Sequence, residues 1–187
     1  MKSLLYISLL LVLLTHNTKL LASDKNIDTS SLDSDEGYLL LKVSFNNEYV
    51  FSNQDSGILR LSLTGEDDHH FKNIKYGNNI YIAKLPEGNY YFESMTVWGN
   101  RVFEIDDIPY KAEVVAGKIA YAGDLIIHNK GDGRATFVYK NRAMSNYKYL
   151  EKEYSDFLSN YPLVYTGLGS DYLFTYLETE EKGELHD

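Results

Sequence analysis

Apolar and polar residues alternate along the first half of the chain, and this period of two is typical of half-buried β-strands. In residues 38–45 the polar side of the alternation holds Lys42 and Ser44. In residues 58–63 it holds Arg60 and Ser62. The pattern predicts two strands, whose inward-facing side chains are Leu39, Leu41, Val43, Phe45, Leu59, Leu61 and Leu63.

The stretch from Ile80 to Trp98 holds two β-prone runs separated by Pro86-Glu87-Gly88. Proline presets φ for the first turn position, and glycine reaches positive φ at little steric cost. This combination predicts a central β-hairpin. Residues 119–128 predict a later strand, which a turn at residues 129–133 joins to a returning strand at 134–139. The side chains expected on one face of the later strand are Ile119, Tyr121, Leu125 and Ile127.

After residue 141 the period changes from 2 to 3.6, which predicts one amphipathic helix from about Ser145 to Tyr161. Ser145 is the expected N-cap, and Pro162 is expected to end the helix. A helix with an apolar stripe must pack it against another element, and the sandwich is the body available. The stripe consists of Met144, Tyr147, Leu150, Tyr154, Phe157, Leu158 and Tyr161.

These elements predict a mainly β protein, an antiparallel β-sandwich of prealbumin or Ig-like type with one C-terminal amphipathic helix packed on it. The expected core includes Leu41, Leu61, Phe92 and Tyr121. The predicted organisation is a signal peptide (1–22), a flexible leader (23–36), the β-sandwich domain (37–141), the helix (142–162) and a partly flexible C-terminal extension (163–187). Within the extension, residues 172–177 are a candidate edge strand.

Residues 1–22 have the features of a signal peptide: Lys2, a short apolar run, and a small-residue cleavage site near Ala22. The alternative is an uncleaved anchor. Cleavage would take the net charge from −9 to −11, which argues against nucleic acid or an anionic membrane as partner. The chain has no Cys, so disulfides and a lipid-modified Cys are excluded. We expect a bacterial periplasmic or secreted protein.

Two segments carry a family resemblance. Leu85-Pro86-Glu87-Gly88-Asn89-Tyr90 resembles the L-P-x-G-x-Y segment of transthyretin-like, carboxypeptidase-regulatory-like β-sandwich domains. Residues 115–125 (VAGKIAYAGDL) are similar to a segment of small exported proteobacterial proteins with that fold, in which a helix ending in Tyr-Pro, like Tyr161-Pro162, follows. The resemblance covers about residues 37–165. It implies the sandwich fold and an envelope location, and it implies no catalytic residues.

The strongest metal candidate by composition is Asp67-Asp68-His69-His70, in a polar loop predicted over residues 64–79. Imidazole and carboxylate groups suit Zn, Cu or Ni. Consecutive residues of an extended chain point to alternate sides, so a further ligand such as His128 would have to approach. The alternative is a solvated acidic loop with no metal, and we expect no cofactor. Long loops of this kind are often functional or carry an unrecognised short strand.

Other acidic residues have a structural interpretation. Asp106-Asp107 and Asp132 could bind Ca²⁺, but their spacing does not match an EF-hand, and Asp is common in turns for its local hydrogen bonds. Asp124 follows Gly123 inside an apolar strand, where a carboxylate needs a donor. We expect Asp124 to form a structural pair with Arg134 or Lys118.

Aromatic residues crowd the central region, and the chain contains 17 Tyr. Exposed aromatic rings can stack on sugars or anchor a protein partner. Tyr76, Trp98 and Tyr110 are therefore the candidate partner surface. The alternative is that these rings belong to the core, because Tyr is a good strand former.

Three functions remain open from the sequence. The leading hypothesis is a non-enzymatic exported envelope protein that acts as a binding or structural β-sandwich module, with a protein or glycan partner. The second is an inhibitor or immunity-type protein that blocks a hydrolase with a loop such as residues 64–79. The third is a metal-dependent hydrolase that uses His69 and His70.

Overall fold

A computed structural model describes residues 27–47, 57–97, 101–105, 110–131 and 134–172. These residues form two β-sheets with a shared core and two short helices towards the C-terminal end. The predicted mainly β sandwich with C-terminal helical structure is confirmed. The signal peptide predicted at residues 1–22, and all but the first residue of the candidate strand at 172–177, lie outside the described residues.

The first sheet is built around strand β1 (Glu36–Asn47). Strand β4 (Gly77–Pro86) runs antiparallel to β1 on one side, and β8 (Ile119–Gly131) runs parallel to it on the other. Two strands share the far edge of β8: β10 (Leu163–Tyr165) pairs with its first residues and β9 (Arg134–Lys140) with the rest. The antiparallel β8–β9 pair confirms the second predicted hairpin.

The second sheet is built around β2 (Ile58–Thr64) and β5 (Gly88–Val97), which are antiparallel. Strand β3 (His69–Ile74) pairs with the outer edge of β2. The outer edge of β5 pairs with β7 (Lys111–Val114) along its first half and with β6 (Arg101–Glu104) along its second. The polar stretch from residue 64 to 79 therefore contains a strand, β3.

The main core lies between the two sheets. Leu41, Leu61 and Phe92 are buried there, as predicted. Tyr121 is also buried, but it lies on the outer side of the first sheet, in a second apolar cluster. The buried members of that cluster are Tyr38, Leu40, Ile82, Ile119, Tyr121, Ala143, Leu150, Phe157 and Leu163.

The predicted central hairpin is wrong, because β4 and β5 belong to different sheets. The segment Pro86-Glu87-Gly88 carries the chain from one sheet to the other. Tyr90 holds this crossover closed by donating a hydrogen bond of 3.0 Å to the carbonyl oxygen of Pro86, an arrangement known from the tyrosine corner of Ig-like sandwiches. Both a hairpin and a crossover need turn residues here, so the motif alone does not distinguish them.

Bulges change two of the predicted strand faces. In β2 the register shifts between Ile58 and Arg60, so that Ile58 is buried and Leu59 is 37 % exposed, not inward as expected. In β8 the pairing with β1 shifts where Tyr121 is followed by Asp124. Ile119 and Tyr121 therefore face the outer cluster, whereas Leu125 and Ile127 face the main core.

The single predicted helix is two helices, α1 (Ala143–Glu153) and α2 (Ser155–Asn160). Tyr154 breaks the helix with φ −141° and ψ 45°. Leu150 and Phe157 pack on the outer face of the first sheet, so the predicted docking is confirmed. Met144 is 47 % exposed and does not belong to the buried stripe.

Hydrogen bonds fix the start of α1 and the residues before β1. The N-cap of α1 is Arg142 and not Ser145, and the Ala143 amide donates to Oδ1 of Asn141 at 2.9 Å. In the predicted leader, Ile27 forms a bridge with Ile82, and the amide of Asp28 donates to the Ile82 carbonyl. None of the helices in the described ranges is long and apolar enough to cross a membrane.

Candidate binding surface

The structure separates the residues of the predicted metal cluster. Asp67 and Asp68 lie in the exposed connection before β3, and His69 and His70 are its first two residues, on opposite faces. The His69 ring is half-buried, with its centroid 4.7 Å from that of Phe71. Burial, with the nearby positive charges of His70 and Lys72, lowers its pKa.

The further ligand suggested for this cluster, His128, belongs to β8 in the first sheet, whereas β3 belongs to the second. Within the ranges that the structure describes, no three His, Asp or Glu side chains come together as metal ligands would. Asp106, Asp107 and Asp132, the weaker Ca²⁺ candidates, lie outside those ranges.

The aromatic residues proposed as a partner surface are divided among three environments. Tyr76 is half-buried and stacks on Phe45 with ring centroids 4.8 Å apart. Trp98 lies outside the described residues. Tyr110 is only 2 % exposed, because its ring stacks on Tyr139 at 4.2 Å inside the main core. The assignment of Tyr110 to a surface is therefore wrong.

Asp124 is the one charged side chain among the fully buried residues of the described ranges. It is placed by Gly123, whose φ of +107° is strained for a residue with a side chain. The irregularity at Gly123 puts Asp124 on the same side of the first sheet as Tyr121, facing α1. Glycine inside an apolar strand is a known signal for such a bulge.

The carboxylate of Asp124 is held by two short hydrogen bonds to the same oxygen, Oδ1. The Tyr121 hydroxyl donates at 2.7 Å and the Asn146 amide donates at 3.0 Å. The other oxygen, Oδ2, lies 3.7 Å from Lys42 Nζ and 3.6 Å from Arg142 Nη1. Asp124 therefore pairs with Lys42 and Arg142, and the predicted pairing with Arg134 or Lys118 is wrong.

Asp124 and the side chains around it form a buried polar cluster that joins β1, β8 and α1. We call it the Asp124 cluster, and its role is structural. Burial and the hydrogen bond to Asp124 raise the pKa of Tyr121, and the Arg142 amide donates to the Tyr121 hydroxyl at 3.0 Å. With no exposed surface, the Asp124 carboxylate offers no place for a substrate. The Asp124 cluster stabilises the docking of α1 on the first sheet and is not a candidate active site.

The two sheets differ in what covers their outer faces. On the first sheet, α1 and α2 bury the outer cluster. On the second sheet, Tyr91 and Val102 point outward and are 49 % and 57 % exposed, and Leu59 is 37 % exposed at the bulge of β2. Because these apolar side chains stay exposed on a face that neither helix covers, this face is the candidate protein-binding surface.

Two cross-strand rows define the charge pattern of this outer face. We call them row one and row two, and they run in the order β3, β2, β5, β6. Row one consists of Lys72, Arg60, Thr96 and Val102. Row two consists of His70, Ser62, Ser94 and Glu104. Within these two rows, cations lie towards β3 and a carboxylate lies on β6, with small hydroxyl side chains between them. On β7, Lys111 and Glu113 lie on the same side and pair with each other at 3.8 Å.

This surface was missed at the sequence level for a specific reason. The alternation predicts that Arg60 and Ser62 face outward, as they do, but it also places Leu59 in the core, so the predicted outer side of the strand holds no apolar residue. Tyr91 lies between the buried residues Tyr90 and Phe92, and Val102 belongs to a separate short strand. Only the pairing of β5 with β6 shows that both side chains are on one face. That pairing joins separate segments and has no local sequence signal.

No protein-family model, curated protein or solved structure matches this chain. The resemblance to transthyretin-like sandwich domains therefore stays a prediction, which rests on residues 85–90 and 115–125.

Proposed function

We propose that this chain is an exported, non-enzymatic binding module of the cell envelope, and that it binds through the outer face of the second sheet. One observation supports the proposal. The helices bury the apolar residues outside the first sheet, whereas the second sheet keeps Leu59, Tyr91 and Val102 exposed. Burying such residues against a partner would stabilise a complex.

The chemistry of this face favours a protein or glycan partner. An exposed tyrosine such as Tyr91 supplies a rigid apolar contact and a polar hydroxyl, which suits both protein side chains and sugar rings. The net charge of −9 disfavours nucleic acid and anionic lipid, because both are polyanions. The proposed binding requires no cofactor.

The two other hypotheses receive less support from the residues. The inhibitor hypothesis relied on a long free loop at residues 64–79, but residues 69–74 are paired as β3. The hydrolase hypothesis relied on His69 and His70, which point to opposite faces of that strand. We therefore base the proposal on the sheet face.

The test is capture of an envelope component by the immobilised mature chain, compared between matched variants. Tyr91→Ser and Val102→Ser should reduce the captured amount about tenfold, because each removes a central apolar contact. The control is Met144→Ser, which removes an exposed apolar side chain from α1, away from the second sheet. Equal capture by all four proteins would contradict the proposed surface.

Export is tested separately by sequencing the N-terminus of protein recovered outside the cytoplasm. We expect it to begin at or near Ser23, after the small-residue site. An intact Met1 in the membrane fraction would favour the uncleaved anchor.

A further inference from the structure

Two cations lie side by side on the proposed binding face. Arg60 and Lys72 are directly opposite each other on β2 and β3, and both are exposed. Like charges in this position repel and weaken the strand pair. In the described part of the chain, neither forms an ion pair with another residue. Within the described residues of a single copy, no carboxylate offsets the repulsion between Arg60 and Lys72.

The opposite side of the face carries the complementary charge. Glu104 is exposed on β6 and also forms no ion pair within the residues that the structure covers. Neighbouring strands are about 4.8 Å apart, so the backbones of Lys72 and Glu104 are about 14 Å apart across the strands, and the step from row one to row two adds about 7 Å along them. The two groups are too far apart to pair within one copy.

We propose that the partner of this face is a second copy of the same chain, an inference that rests on the proposed function. A twofold axis in the plane of the face, parallel to the strands and midway between β2 and β5, lays β3 of one copy over β6 of the other. Because this axis keeps each row over itself, Lys72 of each copy lies over Val102 of the other, and Glu104 lies over His70, diagonally across from Lys72. The symmetry makes this pairing twice.

The centre of the face fits such a contact. Ser62 and Thr96 are small and point outward there, and neighbouring side chains already bury them within one copy, so a second sheet would contact the longer side chains around them. The Thr96 hydroxyl has no hydrogen-bond partner among the described residues.

The net charge of −9 opposes association of two copies at long range. At about 0.15 M salt the screening length is about 8 Å, so distant repulsion is weakened more than the contacts within the face. The measurement therefore belongs at that ionic strength. At that ionic strength, the measured dimer affinity depends more on the charges in row one and row two than on the net charge of the chain.

The experiment is sedimentation equilibrium on the mature chain and two charge-reversal variants, Lys72→Glu and Glu104→Lys. We expect the wild-type chain to dimerise, and each variant alone to dimerise roughly tenfold or more weakly, because like charges then meet at both contacts. An equimolar mixture of the two variants should regain the wild-type affinity, because the opposite charges meet again at both contacts. The double variant on one chain should also regain it.

A wild-type chain that stays monomeric over the whole concentration range would overturn the inference, as would variants that dimerise like wild type or a mixture that does not recover. Circular dichroism melts of the single variants show that each is folded. Loss of capture with Tyr91→Ser in a monomeric chain would leave the proposed function intact and overturn only the second copy as partner. Dimerisation without capture of another component would support the inference and contradict the proposed envelope partner.

Discussion

Asn146 of α1 donates a hydrogen bond of 3.0 Å to Oδ1 of Asp124 on β8, and both side chains are buried. This bond joins the helix to the irregular part of the strand. Because Tyr121 donates to the same oxygen at 2.7 Å, the position of the helix is tied to the bulge at Gly123. The outer face of the first sheet is closed by this polar link as well as by apolar packing.

Asn146→Ala should lower the free energy of unfolding by about 1–3 kcal/mol, because it removes a donor from a buried charged acceptor. Urea unfolding followed by tryptophan fluorescence or circular dichroism measures the change. The control is Ser145→Ala, one residue away and exposed on the same helix, which should change it by less than about 0.5 kcal/mol. Equal effects of the two substitutions would show that the bond contributes nothing.

Local pattern was sufficient for several elements of this fold and insufficient for others. The alternation at residues 39–45 identified the buried side of β1, and the change of period at residue 142 identified the helical segment and its docking. The local pattern does not show which strands pair. The parallel alignment of β1 with β8 brings Lys42 next to Asp124, and no nearby sequence signal indicates it. Lys42 and Asp124 are distant in sequence, so proximity along the chain favoured the wrong partners.

The candidate site was harder to predict than the core. A bulge adds one residue to one strand and reverses the facing of the residues beyond it, which is why Leu59 was assigned inward. The outer face of the second sheet is formed by β2 and β5, whose pairing contains such register shifts, and by the strands next to them. The abundance of aromatic residues suggests a surface role for Tyr110, but strand propensity does not show which side of a strand is covered, and the Tyr110 ring is buried.

Gly123→Ala tests the bulge. With φ at +107°, a side chain strains the backbone, and we expect a loss of about 1–3 kcal/mol in the free energy of unfolding. Gly117→Ala is the control, since its φ of +69° lies near the left-handed region and an added Cβ meets nothing within 4 Å. Gly117→Ala should therefore cost less. A larger loss at Gly117 would contradict the role assigned to the bulge.

The buried tyrosines predict a loss of stability at alkaline pH. Burial raises the pKa of Tyr110, Tyr121 and Tyr139, whereas unfolded tyrosine ionises near pH 10. Above about pH 10 the unfolded chain has released protons that the folded chain still holds, so the free energy of unfolding falls as pH rises. Below that pH the contribution is fully present. Unfolding titrations between pH 8 and 11 measure it.

Tyr139→Phe isolates the contribution of one buried tyrosine to the loss of stability at alkaline pH. Its hydroxyl is buried without a hydrogen-bond partner among the described residues, so removing it should change the free energy of unfolding by less than about 1 kcal/mol at pH 7. The alkaline fall should become shallower, because one raised pKa is lost. Tyr121→Phe, which removes a hydrogen bond to Asp124, should instead destabilise the chain at pH 7. Identical behaviour of the two variants would contradict this assignment.

Leu150→Asp tests whether the helices and the sandwich unfold as one unit. Leu150 has no exposed surface and packs against the first sheet. A carboxylate at this position would be buried without a compensating charge or donor, so it should lower the free energy of unfolding by several kcal/mol. Met144→Asp is the matched control on the same helix, because Met144 is 47 % exposed, and it should cost less than about 1 kcal/mol. Urea unfolding is followed by circular dichroism at helix- and strand-sensitive wavelengths. Coincident transitions shifted to lower urea in Leu150→Asp are expected, whereas loss of helical signal with an unchanged strand transition would show that α1 docks without supporting the sandwich.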